Sequence, residues 1–202
     1  MFALEGLVHK ISYSGFLSNH DLELIGLKEF GDDCRIDSSV RFLNPSNISL
    51  GSGVRIDAFS ILSSGEGYIE VGDRVHISHS VRIYGAGGVI LGFACGVSSG
   101  CAIYSQTDDF ASGHLAHPTV PVELRKVYSK EIKIGDYCII GANSVLLPGA
   151  EMGKGAAVGA LSLLKRKVPP LEIFGGSPAK RIALRDSVTF ESQVQKLNAI
   201  SS

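Results

Sequence analysis

The sequence predicts an all-β solenoid, a three-sided parallel β-helix wound from six-residue repeats. Three observations predict it. First, an aliphatic, Met or Phe anchor recurs every six positions in six groups: Phe30, Ile36, Phe42, then Leu50, Ile56, Leu62, then Val71, Ile77, Ile83, then Leu91, Val97, Ile103, then Ile134, Ile140, Leu146, then Met152, Val158, Leu164. Second, the residue after the first two anchors of every group is Gly, Asp or Ser, from Gly31 and Asp37 to Gly153 and Gly159. Those residues tolerate corners and left-handed backbone angles. Third, the fourth residue after an anchor is usually small, as at Val54, Ser60, Ser144 and Ala156. Cys34, Cys95, Cys101 and Cys138 all fall at this position, and their spacings fit no metal motif. They therefore read as small buried residues, not as a disulfide or zinc set.

Composition supports this fold and excludes others. With 45% hydrophobic and 19% charged residues in 202, intrinsic disorder is excluded. A total of 24 glycines can supply many corners. Nineteen basic against twenty acidic residues leave a net charge of −1, which argues against binding nucleic acid by phosphate neutralisation. No apolar run approaches the ~20 residues of a membrane span. The start, Met1-Phe2-Ala3-Leu4-Glu5-Gly6, lacks the basic and apolar regions of a signal peptide, so a cytoplasmic protein is expected.

The elements follow in order. Residues 1–29 are expected to form an N-terminal helical cap: Ser18 and Asp21 make a capping box, Leu22 and Ile25 share a face, and Gly26 ends the helix. Residues 30–185 form the β-helix. Alternating stretches such as Ile48-Ser49-Leu50, Ile69-Glu70-Val71 and Ile132-Lys133-Ile134 are short strands running into a corner. Stacking the anchors along the axis would bury each at ~1.5–3 kcal/mol. Between Ile103 and Ile134 the step is 31 residues, against 6 to 9 between other groups. A loop insertion, residues 106–130, therefore leaves the prism there, carrying Asp108, Asp109, His114 and His117. Long excursions from a tight scaffold are usually functional. Pro169-Pro170 is expected to stop the coil and leave Phe174–Arg181 as a loop. Phe190, Val194 and Leu197 have helical spacing within a C-terminal tail, residues 186–202. The glycine-rich Tyr84-Gly85-Ala86-Gly87-Gly88 precedes no helical pattern, so it is a coil corner and not a dinucleotide loop.

This tiling resembles the left-handed parallel β-helix acyltransferases over residues 30–185. Gly176-Ser177-Pro178-Ala179-Lys180-Arg181-Ile182 is similar to the Gly-x-Pro-Ala-Lys-x-Ile signature of their sugar acetyltransferase branch. The resemblance implies a left-handed coil, acetyl-CoA as cosubstrate without a metal, and a homotrimer with active sites between subunits. It implies that Ala142 and Ala160 meet the pantetheine arm through backbone groups. Lys165, Arg166 and Lys180 would lie near the phosphates, which cationic side chains can pair. Where members often carry an Arg three residues beyond the Lys, this chain has Ala183, so Arg181 or Arg185 must substitute or the contact is absent. The residues after the third anchors, Leu43, Ser63, Tyr84, Tyr104, Leu147 and Lys165, depart from the Gly, Asp or Ser rule, and all but Ser63 are larger than those after the others, as an interface wall would be.

The acceptor follows from the insertion. Thr107-Asp108-Asp109-Phe110 and Pro118-Thr119-Val120-Pro121 resemble the branch that includes transferases for nucleotide-linked amino sugars of bacterial surface polysaccharide. The resemblance thus implies N-acetylation of such a sugar, with sugar O-acetylation of the galactoside or maltose type as the alternative. Members of the latter place a His just after the strand that opens the loop, where this chain has Ser105-Gln106-Thr107. His114 is then the candidate catalytic base and His79 the next. His79, Tyr84, Asp108 and Asp109 are candidates for binding the acceptor. His76 reads as a surface residue and His117 as structural. Two other classes share the fold: a γ-type zinc carbonic anhydrase, which would need His79, His114 and His117, and a non-catalytic β-helix scaffold.

Overall fold

The structure is a computed structural model and describes residues 15–201. The first fourteen residues of the expected N-terminal cap lie outside the described ones. Three parallel sheets form the walls of a prism. The first wall runs from Glu29–Phe30 through Val89–Leu91 to Lys167–Val168, the second from Arg35–Ile36 through Gly96–Val97 to Glu172–Gly175, and the third from Arg41–Leu43 through Ala102–Tyr104 to Leu163–Leu164.

Anchor pairs with anchor in every wall. Leu50 stands across from Val71, Val71 from Leu91, and Leu91 from Ile134. Ile77 stands across from Val97 and Ile83 from Ile103. Neighbouring strands lie ~4.7–4.9 Å apart, so the anchors stack into three dry ladders. Most are completely buried. Phe30 and Phe42 are only half-buried, because the first coil has a neighbouring coil on one side alone.

Corners need special backbone. The third residue after an anchor takes positive φ, at Arg74, Ala94 and Tyr137 after the first wall and at Phe59, Ser80 and Asn143 after the second. Glycine just after an anchor answers crowding: a Cβ on Gly51 would sit 2.6 Å from the Asp73 backbone nitrogen of the next coil. The small position has a further use. Cys95 Sγ donates to the Gly135 carbonyl at 3.0 Å, Cys101 Sγ to Gly141 at 3.1 Å, Cys138 Sγ to Gly153 at 3.1 Å, and Ser144 Oγ to Gly159 at 2.9 Å. At these corners a short side chain with one donor thus ties the turn to the next coil, satisfying a carbonyl. The cysteines are free thiols in this role.

Two expectations at the C-terminal end are corrected. Pro169-Pro170 does not stop the coil: Val168 pairs with Met152 and Phe174 with Val158, making a partial seventh coil. The prolines occupy the corner, where no ladder N–H is required of them. Residues 174–181 are not a free loop either, since Glu172–Gly175 pairs antiparallel with Lys180–Leu184 in a hairpin.

Helices finish both ends. Helix α1, Asn19–Ile25, starts at a capping box in which Ser18 and Asp21 exchange hydrogen bonds, and ends at left-handed Gly26. Its Leu22 is fully buried in the prism core. Helix α2, Ser187–Ser201, lays buried Phe190 edge-on against Tyr137 at 5.9 Å. Arg185 fastens this junction, donating to the Gly155 carbonyl at 3.0 Å while lying over Phe190. The insertion leaves and returns as an antiparallel pair, Gln106–Asp108 with Val127–Ser129. No described helix is long and apolar enough to cross a membrane.

Candidate active site

The corner between the second and third walls builds a column. Because the second-wall anchors are in register, the residues two positions beyond them stack coil on coil: His79, Ser99, Ala142, Ala160. Each step is ~4.8 Å. Ser99 Oγ lies 2.9 Å from Ser78 Oγ and 3.3 Å from His79 Nδ1. The alanine half of the column presents backbone and the other half presents hydroxyls and an imidazole.

A second polar cluster lies beside it on the outer face of the second wall. Arg55 Nε donates to Asp57 Oδ1 at 2.7 Å, and His76 Nε2 meets Asp57 Oδ2 at 2.8 Å. Burial pushes the Asp57 carboxyl up, but the hydrogen bonds from His76 and Arg55 outweigh it and hold its pKa below the ordinary value. The ladder neighbour of His76 is Gly96. With no side chain there, a pocket of about 230 Å³ opens, lined by His76, Ser78, Ser98 and Ser99.

The opposite edge of the third wall carries the rest. Tyr84 stacks on Tyr104 with ring centres 5.0 Å apart and planes at 7°. The insertion rises beyond them. Within it the Asp109 carboxylate accepts from the Ala111 and Ser112 backbone at 3.0 and 3.1 Å and pairs with Lys126 at 3.2 Å. The Ser112 side chain, the Ala111 N–H and Lys126 together hold its pKa far below the usual carboxylate range. His114 is exposed, with Nδ1 2.8 Å from Ser112 Oγ, and His117 Nδ1 meets Thr119 Oγ1 at 2.8 Å. Where the insertion rejoins the prism, Glu131 accepts from the Tyr68 hydroxyl and pairs with Lys133 at 2.9 Å. That hydrogen bond pushes the Tyr68 phenol up to about 12.

One chain therefore divides the expected residues into groups. His79 joins Ala142 and Ala160 on one corner. Tyr84, Asp108, Asp109 and His114 stand at the other, across the width of the Arg82–Tyr84 strand. Lys165, Arg166 and Lys180 lie exposed toward the C-terminal end of the prism. Of the two candidates to replace the missing Arg at Ala183, Arg181 pairs with Glu172 at 3.1 Å and Arg185 is tied into the α2 junction. His79, His114 and His117 do not converge within one chain, and the described residues hold no group of three or more His, Cys, Asp or Glu able to bind a metal. Sequence reasoning missed the Asp57–His76 pair, whose partners are 19 residues apart. The signal was available: one residue follows a second-wall anchor and the other precedes the next second-wall anchor.

The chain is similar to known proteins over nearly its full length. Residues 131–166 match the bacterial transferase hexapeptide (six repeats) family. The chain is 35% identical over 176 residues to dTDP-4-amino-4,6-dideoxy-D-glucose acyltransferase of Escherichia coli, covering 87% of this chain and 92% of that protein. AntD, an N-acyltransferase from Bacillus cereus crystallised with dTDP and 3-hydroxybutyryl-CoA, superposes with a TM-score of 0.87 at 31% identity, covering 94% of this chain and 100% of that one. A Ser-to-Thr or Ser-to-Ala variant of AntD superposes as well, at a TM-score of 0.86, the Ala variant holding dTDP-4-amino-4,6-dideoxyglucose and coenzyme A. With the six-residue repeat, the three-walled prism and near full-length likeness in agreement, the chain belongs to the hexapeptide-repeat acyltransferases.

Proposed function

We propose that this enzyme transfers an acyl group, acetyl being the simplest, from coenzyme A to the amine of a dTDP-linked 4-amino-4,6-dideoxy sugar. The observation that carries the reading is the near full-length likeness to AntD, whose crystals hold those ligands. In this reading residues 30–185 carry the chemistry, the described residues before 30 cap the coil, and helix α2 braces its other end. Coenzyme A lies along the corner column, its phosphates among Lys165, Arg166 and Lys180 and its pantetheine arm on the Ala160 and Ala142 backbone. The thioester then reaches Ser99 and His79. Its carbonyl carbon is attacked by the sugar nitrogen, the C–N bond forms, the C–S bond breaks, and the thiolate departs with a proton. Positioning supplies much of the rate, because an unprotonated amine is already a good nucleophile.

The acceptor needs both corners, which one chain keeps apart. A homotrimer resolves this by setting the insertion of one copy, with Asp108, Asp109 and His114, against the column of the next. Phe110 at 85% and Val122 at 73% exposure support an insertion that packs on another copy. Tyr84, stacked on Tyr104, flanks the acceptor. In this reading the reaction takes place in the cytoplasm.

The test is a pair of acceptors that differ in one atom. With acetyl-CoA, dTDP-4-amino-4,6-dideoxyglucose should be turned over with kcat/KM at least ~100-fold above its 4-hydroxy congener, since a hydroxyl must surrender its proton as it attacks and a neutral amine need not. Equal turnover of the hydroxyl sugar would make the enzyme an O-acetyltransferase instead.

A further inference from the structure

The Arg55–Asp57–His76 cluster lies beside the corner column and has no role in the reading above. Its geometry fixes a tautomer. Asp57 is ionised and accepts Arg55 Nε–H on Oδ1, so its Oδ2, 2.8 Å from His76 Nε2, takes the imidazole N–H. The lone pair of neutral His76 is then at Nδ1. This is the arrangement by which a carboxylate orients an imidazole as a base. Facing His76 are Arg55 and Asp57 from the preceding coil and uncharged Gly96, Ser98 and Ser99 from the following one, while His79, three residues on along its own coil, meets Ser78 and Ser99.

Gly96 makes room for a substrate. It stands in the ladder between His76 and Ile139, and a Cβ built on it would meet no heavy atom within 4 Å. Its backbone needs no left-handed φ. Packing and backbone geometry therefore do not demand glycine there, unlike at Gly51. What the missing side chain leaves is the pocket bounded by His76, Ser78, Ser98 and Ser99.

We infer that the Gly96 notch seats the amine-bearing carbon of the acceptor and that His76, oriented by Asp57, removes the proton that keeps this amine from reacting. The inference rests on the amino-sugar reading. A sugar amine arrives largely as an ammonium ion at neutral pH if it titrates near the ~7.7–8.0 of an α-amino group. His76 Nδ1 accepts one ammonium proton and the freed nitrogen attacks the thioester carbonyl. The departing thiolate takes the second proton from nitrogen, and the imidazolium returns its proton to solvent. Asp57 is a positioning residue, holding the tautomer and stabilising the imidazolium.

The experiment compares wild type, His76→Gln, Asp57→Asn and Gly96→Val with acetyl-CoA and dTDP-4-amino-4,6-dideoxyglucose from pH 6.5 to 9.5. His76→Gln should lose ~five- to tenfold in kcat/KM at pH 7, the factor by which an amine titrating at ~7.7–8.0 is tied up as ammonium, shrinking to ~twofold or less at pH 9.5, where the amine is already free. Asp57→Asn should show the same pH-dependent loss in smaller measure. Gly96→Val should raise the acceptor KM at least ~tenfold, with the KM for acetyl-CoA and the melting temperature unchanged. Loss in His76→Gln that is uniform with pH, or no loss, overturns the proposal while an active wild type upholds the amino-sugar reading. An inactive wild type overturns both. An unchanged acceptor KM in Gly96→Val places the acceptor elsewhere and overturns the notch.

Discussion

The prism and its insertion are built on opposite terms. In the prism each side chain that points inward meets the equivalent side chain of the coil above and below, so Ile83, Ile103 and Leu146 bury one another completely. In the insertion, Phe110, Leu115, Val122 and Leu124 find no such partners and stay exposed. What orders it is polar and local: the Asp109 turn, the Lys126 pair and the short antiparallel ladder at its base. The difference teaches that a repeat is self-sufficient in a way an excursion is not. Apolar side chains that the excursion exposes are available to another molecule, and Asp108, Asp109 and His114, proposed above to meet the acceptor, travel with them.

Four measurements can break or sharpen this contrast. The largest effect belongs to the wall. Ile103→Ala should cost ~2–5 kcal/mol in denaturant unfolding, by lost burial and a cavity between two coils, whereas Leu115→Ala in the insertion should cost within ~0.5 kcal/mol for the isolated chain. Equal costs would erase the contrast. Next, changing Lys165, Arg166 and Lys180 together to Ala should raise the KM for acetyl-CoA at least ~tenfold with thermal melting unmoved, and a KM within ~twofold would put coenzyme A elsewhere.

The third concerns the clamp where insertion and prism rejoin. The folded pKa of Tyr68 is raised to about 12, so the protonated phenol is the form that folding favours. Its contribution is present below the unfolded value of ~10 and is lost as pH rises through the folded value. Ultraviolet titration should show one tyrosine ionising near 12, and Tyr68→Phe should remove that step; a titration complete by pH 11 contradicts the clamp. The smallest effect is expected at Asp109, whose folded pKa is depressed. Its contribution is present above the unfolded ~3.9 and is lost as pH falls through the folded value. Asp109→Asn should speed amide exchange at Ala111 and Ser112 at pH 7 with no change in the protection of Ile103, and unchanged exchange at both sites would remove the Asp109 turn from the account.

How much was legible in the sequence follows the same division. All eighteen anchors, the capping box and the role of the cysteines could be read, because each depends on a six-residue period or on neighbours a few positions away. The seventh coil was hidden by Pro169-Pro170, since proline argues against a strand but not against a corner. The site was harder. His79 could be linked to Ala142 and Ala160 only once the register was known, and the same register joins His76 to Asp57. The insertion has no period at all, so its turn at Asp109 and its clamp at Tyr68 leave no pattern along the chain. A repeat announces what it packs against; a loop does not.

The central claim is that the column of one copy works with the insertion of another. Complementation tests it most directly. Two variants are made, Ala142→Trp to fill the column and Asp108→Ala to disable the insertion, each expected to be inactive or nearly so on its own. Co-expressed with different tags and purified through both, the mixed trimers should recover acetyl transfer to the amino sugar, because some interfaces pair an intact column with an intact insertion. Mixed trimers as inactive as their parents would show that both halves of the site come from the same chain, and would contradict the account.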